Sequence, residues 1–391
     1  MTGPVAALWG SLALVAYAYV VYPALIHVAS RAFGRRSMAP AAVDGDLPTA
    51  SLVLAAFNEE AVIGARLADA LAMDYPADRL EILVGSDGST DGTAEVARSF
   101  EGRGVRLLDF AANRGKASVL NDAVAASTGE ILLMSDANTR VEPGAARCLA
   151  RWFADPEVGA VVGRLVLVDP VSGKNADGLY WRYETFLKTR EATLGALLGA
   201  NGAIYAIRRC LYEPIPPGTI IDDFVIPLLA TQRTGCRLVY DRGAVAVEET
   251  ALGVGAEFRR RARIGAGGYQ SIGMLWRLLD PRRGWLALAF WSHKVLRWLG
   301  PFFLLGALAA NLALAGRPFY RGMLAAQVGF YLLAGLLPLV PSRVRLARPL
   351  RLSTMFVGMN AALLVGFCRW LFGRQKGTWA RTERSAAEVA R

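Results

Sequence analysis

Apolar and polar positions divide this 391-residue chain into three regimes. Residues 5–29, VAALWGSLALVAYAYVVYPALIHVA, carry no formal charge apart from what His27 can hold. That run is long enough to cross a bilayer core of roughly 30 Å. It lacks the leading basic residues of a cleaved signal, so an uncleaved anchor over residues 1–30 is expected. From residue 45 to 280 the pattern changes to short apolar runs separated by turn residues and helix-period segments. Strands are predicted over 50–56, 80–85, 104–110 and 130–135, and helices over 93–100 and 113–127. From 285 to 372 the chain is apolar again. Two spans are predicted over 298–316 and 321–340, with a third apolar segment at 353–372. In between, residues 281–297 set Trp285 and Trp291 among Arg282, Arg283, Lys294 and Arg297, the pattern of a helix lying in the membrane interface.

Strands alternating with helices in the middle regime imply an α/β fold, with a parallel sheet covered on both faces. Ligands bind beyond the carboxyl ends of such strands. The polar clusters fall there: Asn58-Glu59, Asp87 to Asp91, and Asp136 to Asn138. Neither GxGxxG nor GxxxxGK[ST] follows a strand, which excludes the two common Gly-rich phosphate cradles. Acidic strand ends suit a divalent cation, or a base and ribose, while Arg114 and Lys116 offer positive charge to phosphate. The sequence SDAN at 135–138 reads two ways. Asp and Asn are turn formers. Two residues apart on extended backbone, they also present oxygens to one side, as ligands of Mg²⁺ or Mn²⁺ would.

Composition narrows the classes. Hydrophobic residues make up 54% of the chain and charged residues 20%, which fits a soluble domain joined to membrane spans. The net charge is +11, and its basic residues cluster beside apolar segments, so membrane rather than nucleic acid is the expected partner. None of the four cysteines forms a CxxC pair, so neither a zinc site nor a disulfide framework is implied. With only two histidines, His27 and His293, both in apolar or amphipathic stretches, the general base is expected to be a carboxylate. Arg31, Arg35 and Arg36 follow the first span and place the next domain in the cytoplasm. The basic loop 342–351 agrees with that orientation. The basic tail 374–391 would lie outside if 353–372 crossed, against the same rule.

Four motifs in order, AAFNEE, GSDGSTDGT, NRGKASVLN and SDAN, together with the flanking apolar segments, resemble the membrane-bound family-2 glycosyltransferases. That group has a GT-A fold and includes the cellulose, chitin and hyaluronan synthases. The resemblance implies that Ala55, Phe57, Asn58 and Glu59 line a nucleotide-sugar site, that Asp87 meets the base, and that Lys116 approaches the diphosphate. It puts Asp136 and Asn138 at the DxD position, as ligands of Mg²⁺ or Mn²⁺ with Asn replacing the second Asp. GANGAIYAIRR brings Asn201 and Gly202 to the acceptor pocket, although a tight turn before a strand would look the same. Asp222 and Asp223 open a helix, where Asp caps free N–H groups; the resemblance makes Asp223 the base, with Asp222 beside it in the catalytic pair in place of a Glu, and the helix start also lets Asp222 cap. At the QxxRW position Arg260 replaces Gln, Arg263 matches Arg and Ile264 replaces Trp. Arg263 would meet the leaving diphosphate and Arg260 the acceptor side. The implied activity is inverting, metal-dependent sugar transfer from a UDP-linked donor to a lipid-linked or polysaccharide acceptor, at the cytoplasmic face of a multi-pass membrane protein. The alternatives are a processive polysaccharide synthase and a non-catalytic nucleotide-binding part of a glycan export complex.

Overall fold

The computed structural model describes residues 3–35, 38–41, 43–169, 175, 178–249, 254–337, 347–375 and 377. Arg36, half of the basic loop and nearly all of the basic tail lie outside the described residues. The chain forms two compact units. One contains residues 27–252 and 273–289; the other contains residues 1–26, 253–272 and 290–375.

The first unit is built on an eight-stranded sheet in the order β3-β2-β1-β4-β7-β6-β8-β5. β1 (Ala50–Ala56), β2 (Leu80–Asp87), β3 (Val105–Phe110) and β4 (Ile131–Asp136) are the four predicted strands. They pair in parallel as β3-β2-β1-β4. β1 is buried at every position, as a central strand covered on both faces must be. Register aligns the strand ends: Ala55 faces Gly85 on one side and Asp136 on the other.

The all-parallel expectation fails beyond β4. β7 (Tyr205–Arg208) inserts antiparallel between β4 and β6 (Val158–Val168). β8 (Arg237–Glu249) runs parallel to β6, and β5 (Arg140–Val141) pairs antiparallel with it. Helices precede β6, β7 and β8 just as they precede β2 to β4, so alternation of helix and strand does not by itself fix strand direction. The twin arginines after β7's apolar stretch anchor it. Arg208 donates to the carbonyls of Val158, Phe153 and Asp155, and Arg209 donates to that of Gly129.

The second unit is helical, with Leu8, Ala307, Ala310 and Leu314 as its core. Among the described residues two helices are long and apolar enough to cross a membrane, Gly3–Ala32 and Leu352–Leu371; a bent pair, Trp285–Trp298 and Gly300–Ala313, is a third if it counts as one span. The remaining apolar helix, Pro318–Leu336, falls on the predicted 321–340 segment. The segment 281–297 is not one continuous amphipathic helix. It divides at Gly284, with a φ of 58°, into the turn Pro281–Arg283 and a helix Trp285–Trp298 that includes a π-helical stretch, Phe290–Val295.

Candidate functional site

The strand ends are locked to one another before any chemistry is placed. Asn58 takes a φ of 55°, a left-handed conformation that Asn tolerates better than most residues. From there its backbone N–H donates to Ser89 Oγ at 3.2 Å, and its Oδ1 accepts from the Thr90 N–H at 2.8 Å. The Glu59 N–H donates to Thr93 Oγ1 at 2.8 Å, and Asp91 accepts from the Thr93 N–H at 3.1 Å. These bonds fasten the 57–60 loop after β1 to the 86–93 turn after β2. Phe57 is half-buried and Glu59 buried.

Asp87 ends β2 with no exposed surface. Its Oδ1 accepts from the Arg114 N–H and its Oδ2 from the Gly115 N–H, both at 2.8 Å. Gly115 has φ 89° and ψ 151°, a combination reserved for glycine, and the helix Lys116–Ala126 starts at the next residue. Asp87 therefore fixes the place where that helix begins, and with it Lys116.

Lys116 reaches two carboxylates at once. Its Nζ lies 2.6 Å from Asp136 Oδ1 at the end of β4 and 3.1 Å from Asp222 Oδ2. Burial by itself would lower the Lys116 pKa. The charges of Asp136, Asp222 and Asp223 outweigh it and hold the ammonium above the ordinary lysine range. Asp136 is also tied through its backbone, its N–H donating to the Gly202 carbonyl at 3.0 Å. Gly202 has no room for a side chain, since an added Cβ would lie 2.4 Å from Asp136 Oδ2.

Asp222 and Asp223 open the helix Asp222–Thr234, and its N-cap position is Ile221, whose side chain makes no cap bond. Of the two readings of Asp222, the cap is not the one the structure shows: its carboxylate turns to the Lys116 ammonium, the stronger partner. Asp223 Oδ1 accepts from the Phe224 N–H at 2.9 Å. Burial, then the like charge of Asp222, pushes the Asp223 carboxyl up to about 6, against the pull of Lys116. Pro227 stands four residues on and has no N–H to give, so the Asp223 carbonyl lacks its helical partner. The Ala200 N–H takes that place at 3.1 Å. This bond ties the GANGA loop to the helix start. In the same loop Asn201 Nδ2 donates to the Gly163 carbonyl at 3.2 Å.

The residues present fit a divalent cation. Asp136 is half-buried and Asn138 exposed, one residue apart at the strand end. Among the described residues no group of three or more His, Cys, Asp or Glu forms a closed metal cage. A hard cation that arrives with a diphosphate needs only one or two protein oxygens, because phosphate and water complete its shell.

Residues 51–212 match the family model "Glycosyl transferase family 2". Over that segment, about two-fifths of its length, the chain is similar to family 2 glycosyltransferases. The poly-beta-1,6-N-acetyl-D-glucosamine synthase of Staphylococcus epidermidis is 33% identical over 169 residues, 42% of this chain and 40% of that protein. The beta-monoglucosyldiacylglycerol synthase of Nostoc sp. is 30% identical over 165 residues, 41% of this chain and 35% of that protein. The chain thus spans about two-fifths of the length of the curated relatives it matches. Among solved structures, the mannosyltransferase PcManGT of Pyrobaculum calidifontis, in complex with GDP-Man and Mn²⁺, superposes with a TM-score of 0.71 at 25% identity, covering 93% of this chain and 98% of that one. The fold is GT-A.

Within the first unit the structure brings together Ala55, Asp87, Lys116, Asp136, Gly202, Asp222 and Asp223. Arg260 and Arg263 belong to the second unit, exposed on the helix Val254–Met274, where Arg260 pairs with Glu257 at 3.4 Å. Two residues of the first unit escaped the sequence reading. Asn121 clamps the chain leading to Asp222. Its Oδ1 accepts from the Ile215 N–H and the Tyr212 hydroxyl, and its Nδ2 donates to the Ile215 carbonyl. Tyr205 begins β7 beside Met134 and lines the same small cavity as Lys116, Asp136, Gly202 and Asp222. Asn121 sat within the quoted NRGKASVLN, but nothing local marks its partner, which is 94 positions away. Tyr205 sat in an apolar run within GANGAIYAIRR that carries no mark of its partners.

Proposed function

We propose that this chain is an inverting glycosyltransferase that uses a divalent cation. It moves a sugar from a nucleotide-sugar donor to a lipid-linked or polysaccharide acceptor at a membrane face. The carrying observation is the cluster of Lys116, Asp136, Asp222 and Asp223 at the strand ends, with Asp223 held up at about 6. A carboxylate with that pKa is ionised at neutral pH yet basic enough to accept a proton.

The donor lies over Ala55, Phe57, Asn58, Glu59 and Asp87, with Asp87 holding the loop that delivers Lys116 to the diphosphate. The resemblance gives Asp87 the nucleotide base; its fully buried carboxylate here holds the Arg114 and Gly115 N–H groups instead. When bound by Asp136 and Asn138, Mg²⁺ or Mn²⁺ supplies positive charge against the diphosphate. Asp223 takes the proton of the acceptor hydroxyl, which attacks the anomeric carbon as the nucleoside diphosphate leaves. Asn201 and Gly202 border the acceptor. The relatives support the acceptor classes: one is named for a polysaccharide and one for a glycolipid. UDP-linked donors lead the test panel. GDP-mannose joins it because the mannosyltransferase neighbour holds that donor.

Membrane residence rests on the long apolar helices. Trp9, Val20, Leu332 and Leu371 are exposed there, as lipid-facing side chains are. Arg31 and Arg35 after the first helix favour a cytoplasmic catalytic unit in a multi-pass protein.

The test is nucleoside diphosphate release by the detergent-solubilised protein. It is run across the donor panel, with and without Mn²⁺ or Mg²⁺, with a membrane lipid extract as acceptor. Cation-dependent release from one donor, lost in Asp223→Asn while donor binding persists, is the expected result. Unchanged turnover in Asp223→Asn removes the base assignment.

A further inference from the structure

Tyr205 has a feature that the proposed mechanism leaves unused. It is 1% exposed, and its hydroxyl has no hydrogen-bond partner. Among the described residues it is the one buried hydroxyl in that condition. A buried O–H left unpaired costs stability, so a chain has reason to place phenylalanine there instead. The phenol also stands in a cavity lined by Lys116, Asp136, Gly202 and Asp222, two of them carboxylates. Burial, with the Asp222 charge next, keeps the phenol protonated far above its ordinary range, so it is a donor in waiting.

What would draw on that donor follows from Lys116. Its single ammonium is shared between Asp136 and Asp222. A donor diphosphate carries more negative charge than either carboxylate and attracts the same ammonium. Each step Lys116 takes toward it strips Asp222, which is only 7% exposed, of its cation. A buried carboxylate without a partner is costly. The Tyr205 hydroxyl is on hand in the same cavity to replace the lost bond.

Resting on the transferase reading, we infer that Tyr205 is a positioning residue for donor binding: its hydroxyl takes over Asp222 when Lys116 moves to the donor diphosphate. Tyr205 touches neither sugar nor phosphate in this scheme. It lowers the cost of releasing Lys116, and so it acts on donor affinity through Asp222.

Calorimetric titration with UDP-GlcNAc, UDP-glucose and GDP-mannose in the presence of Mn²⁺ tests this without requiring turnover. Tyr205→Phe should weaken binding of the preferred donor by at least about tenfold, the worth of a hydrogen bond to a charged group. Its melting temperature should equal or exceed that of the parent, because an unpaired hydroxyl has been removed. In an Asp222→Asn background the same substitution should change affinity less than about twofold, since the charge it serves is gone. Binding within twofold of the parent in Tyr205→Phe overturns the inference. So does an equal loss in both backgrounds, or a loss that tracks a lowered melting temperature. Coupled binding losses without any diphosphate release would uphold the relay and refute the transferase reading. Full turnover with an unaffected Tyr205→Phe variant would do the reverse.

Discussion

Gly202→Ala probes the site by a single methyl group. Gly202 is one of the residues the sequence placed at the acceptor, but its contacts are with Asp136. The added Cβ would sit 2.4 Å from Asp136 Oδ2, 3.1 Å from Cγ and 3.4 Å from Oδ1. Its φ lies outside the left-handed region, so alanine brings no backbone strain. Relief of the clash needs a shift of roughly 1 Å. The carboxylate can supply it by rotating, because it is the free end of a half-buried side chain. Folding should then lose about 1 kcal/mol or less, the worth of a partly exposed ion pair such as Asp136 with Lys116. Catalysis should lose far more. A misplacement of about 1 Å in a group that organises the reacting centre costs on the order of 10²-fold in rate. The assay is diphosphate release against Mn²⁺ concentration, paired with a thermal melt. The expected pattern is a near-parental melt, a raised Mn²⁺ requirement and turnover reduced about a hundredfold. A fully active Gly202→Ala variant with parental cation dependence would refute the argument that Asp136 must stay where Gly202 lets it stand.

Other consequences can be measured on the same preparation. The acid limb of kcat/KM should fall near pH 6, as Asp223 gains its proton, and Asp222→Asn should move that limb to lower pH by removing a charge that raises it. A limb unmoved by Asp222→Asn would assign the ionisation to another group. For stability the sign is reversed. Folding raises the Asp223 pKa from 3.8 to about 6, so its contribution is greatest below 3.8 and is lost as pH rises through about 6. Arg66 gives a second stability test. It is 3% exposed, none of its guanidinium nitrogens has a hydrogen-bond partner, and burial lowers its pKa to about 10. Arg66→Met should therefore stabilise the protein by about 1–3 kcal/mol, as apolar replacement of a buried charge often does. A lowered melting temperature in that variant would show that Arg66 has work in the folded chain.

The sequence alone determined the local elements and their chemistry. Continuous apolar runs bounded by turn residues located β1 to β4 to within a residue or two, since a strand buried on both faces tolerates little else. The same ordering put Asp87, Lys116 and Asp136 at carboxyl ends, where a parallel sheet leaves its cleft. The charge-free N-terminal run marked an apolar helix because length and hydropathy are properties of composition. Tertiary structure decided what no local pattern encodes. β7 runs antiparallel although a helix precedes it as one precedes β2 to β4, and Arg208 fastens it through carbonyls some fifty positions away. Asp222 left the cap for Lys116 because a charge 106 residues upstream outcompeted a neighbouring N–H. Pro227, which reads only as a helix fault, frees the carbonyl that Ala200 binds. Tyr205 shows the limit most plainly: a tyrosine in an apolar run looks like core, and only the folded sheet sets its hydroxyl among carboxylates. Such couplings arise from residues distant in sequence and adjacent in space, so sequence pattern fixes the parts and packing fixes their partners.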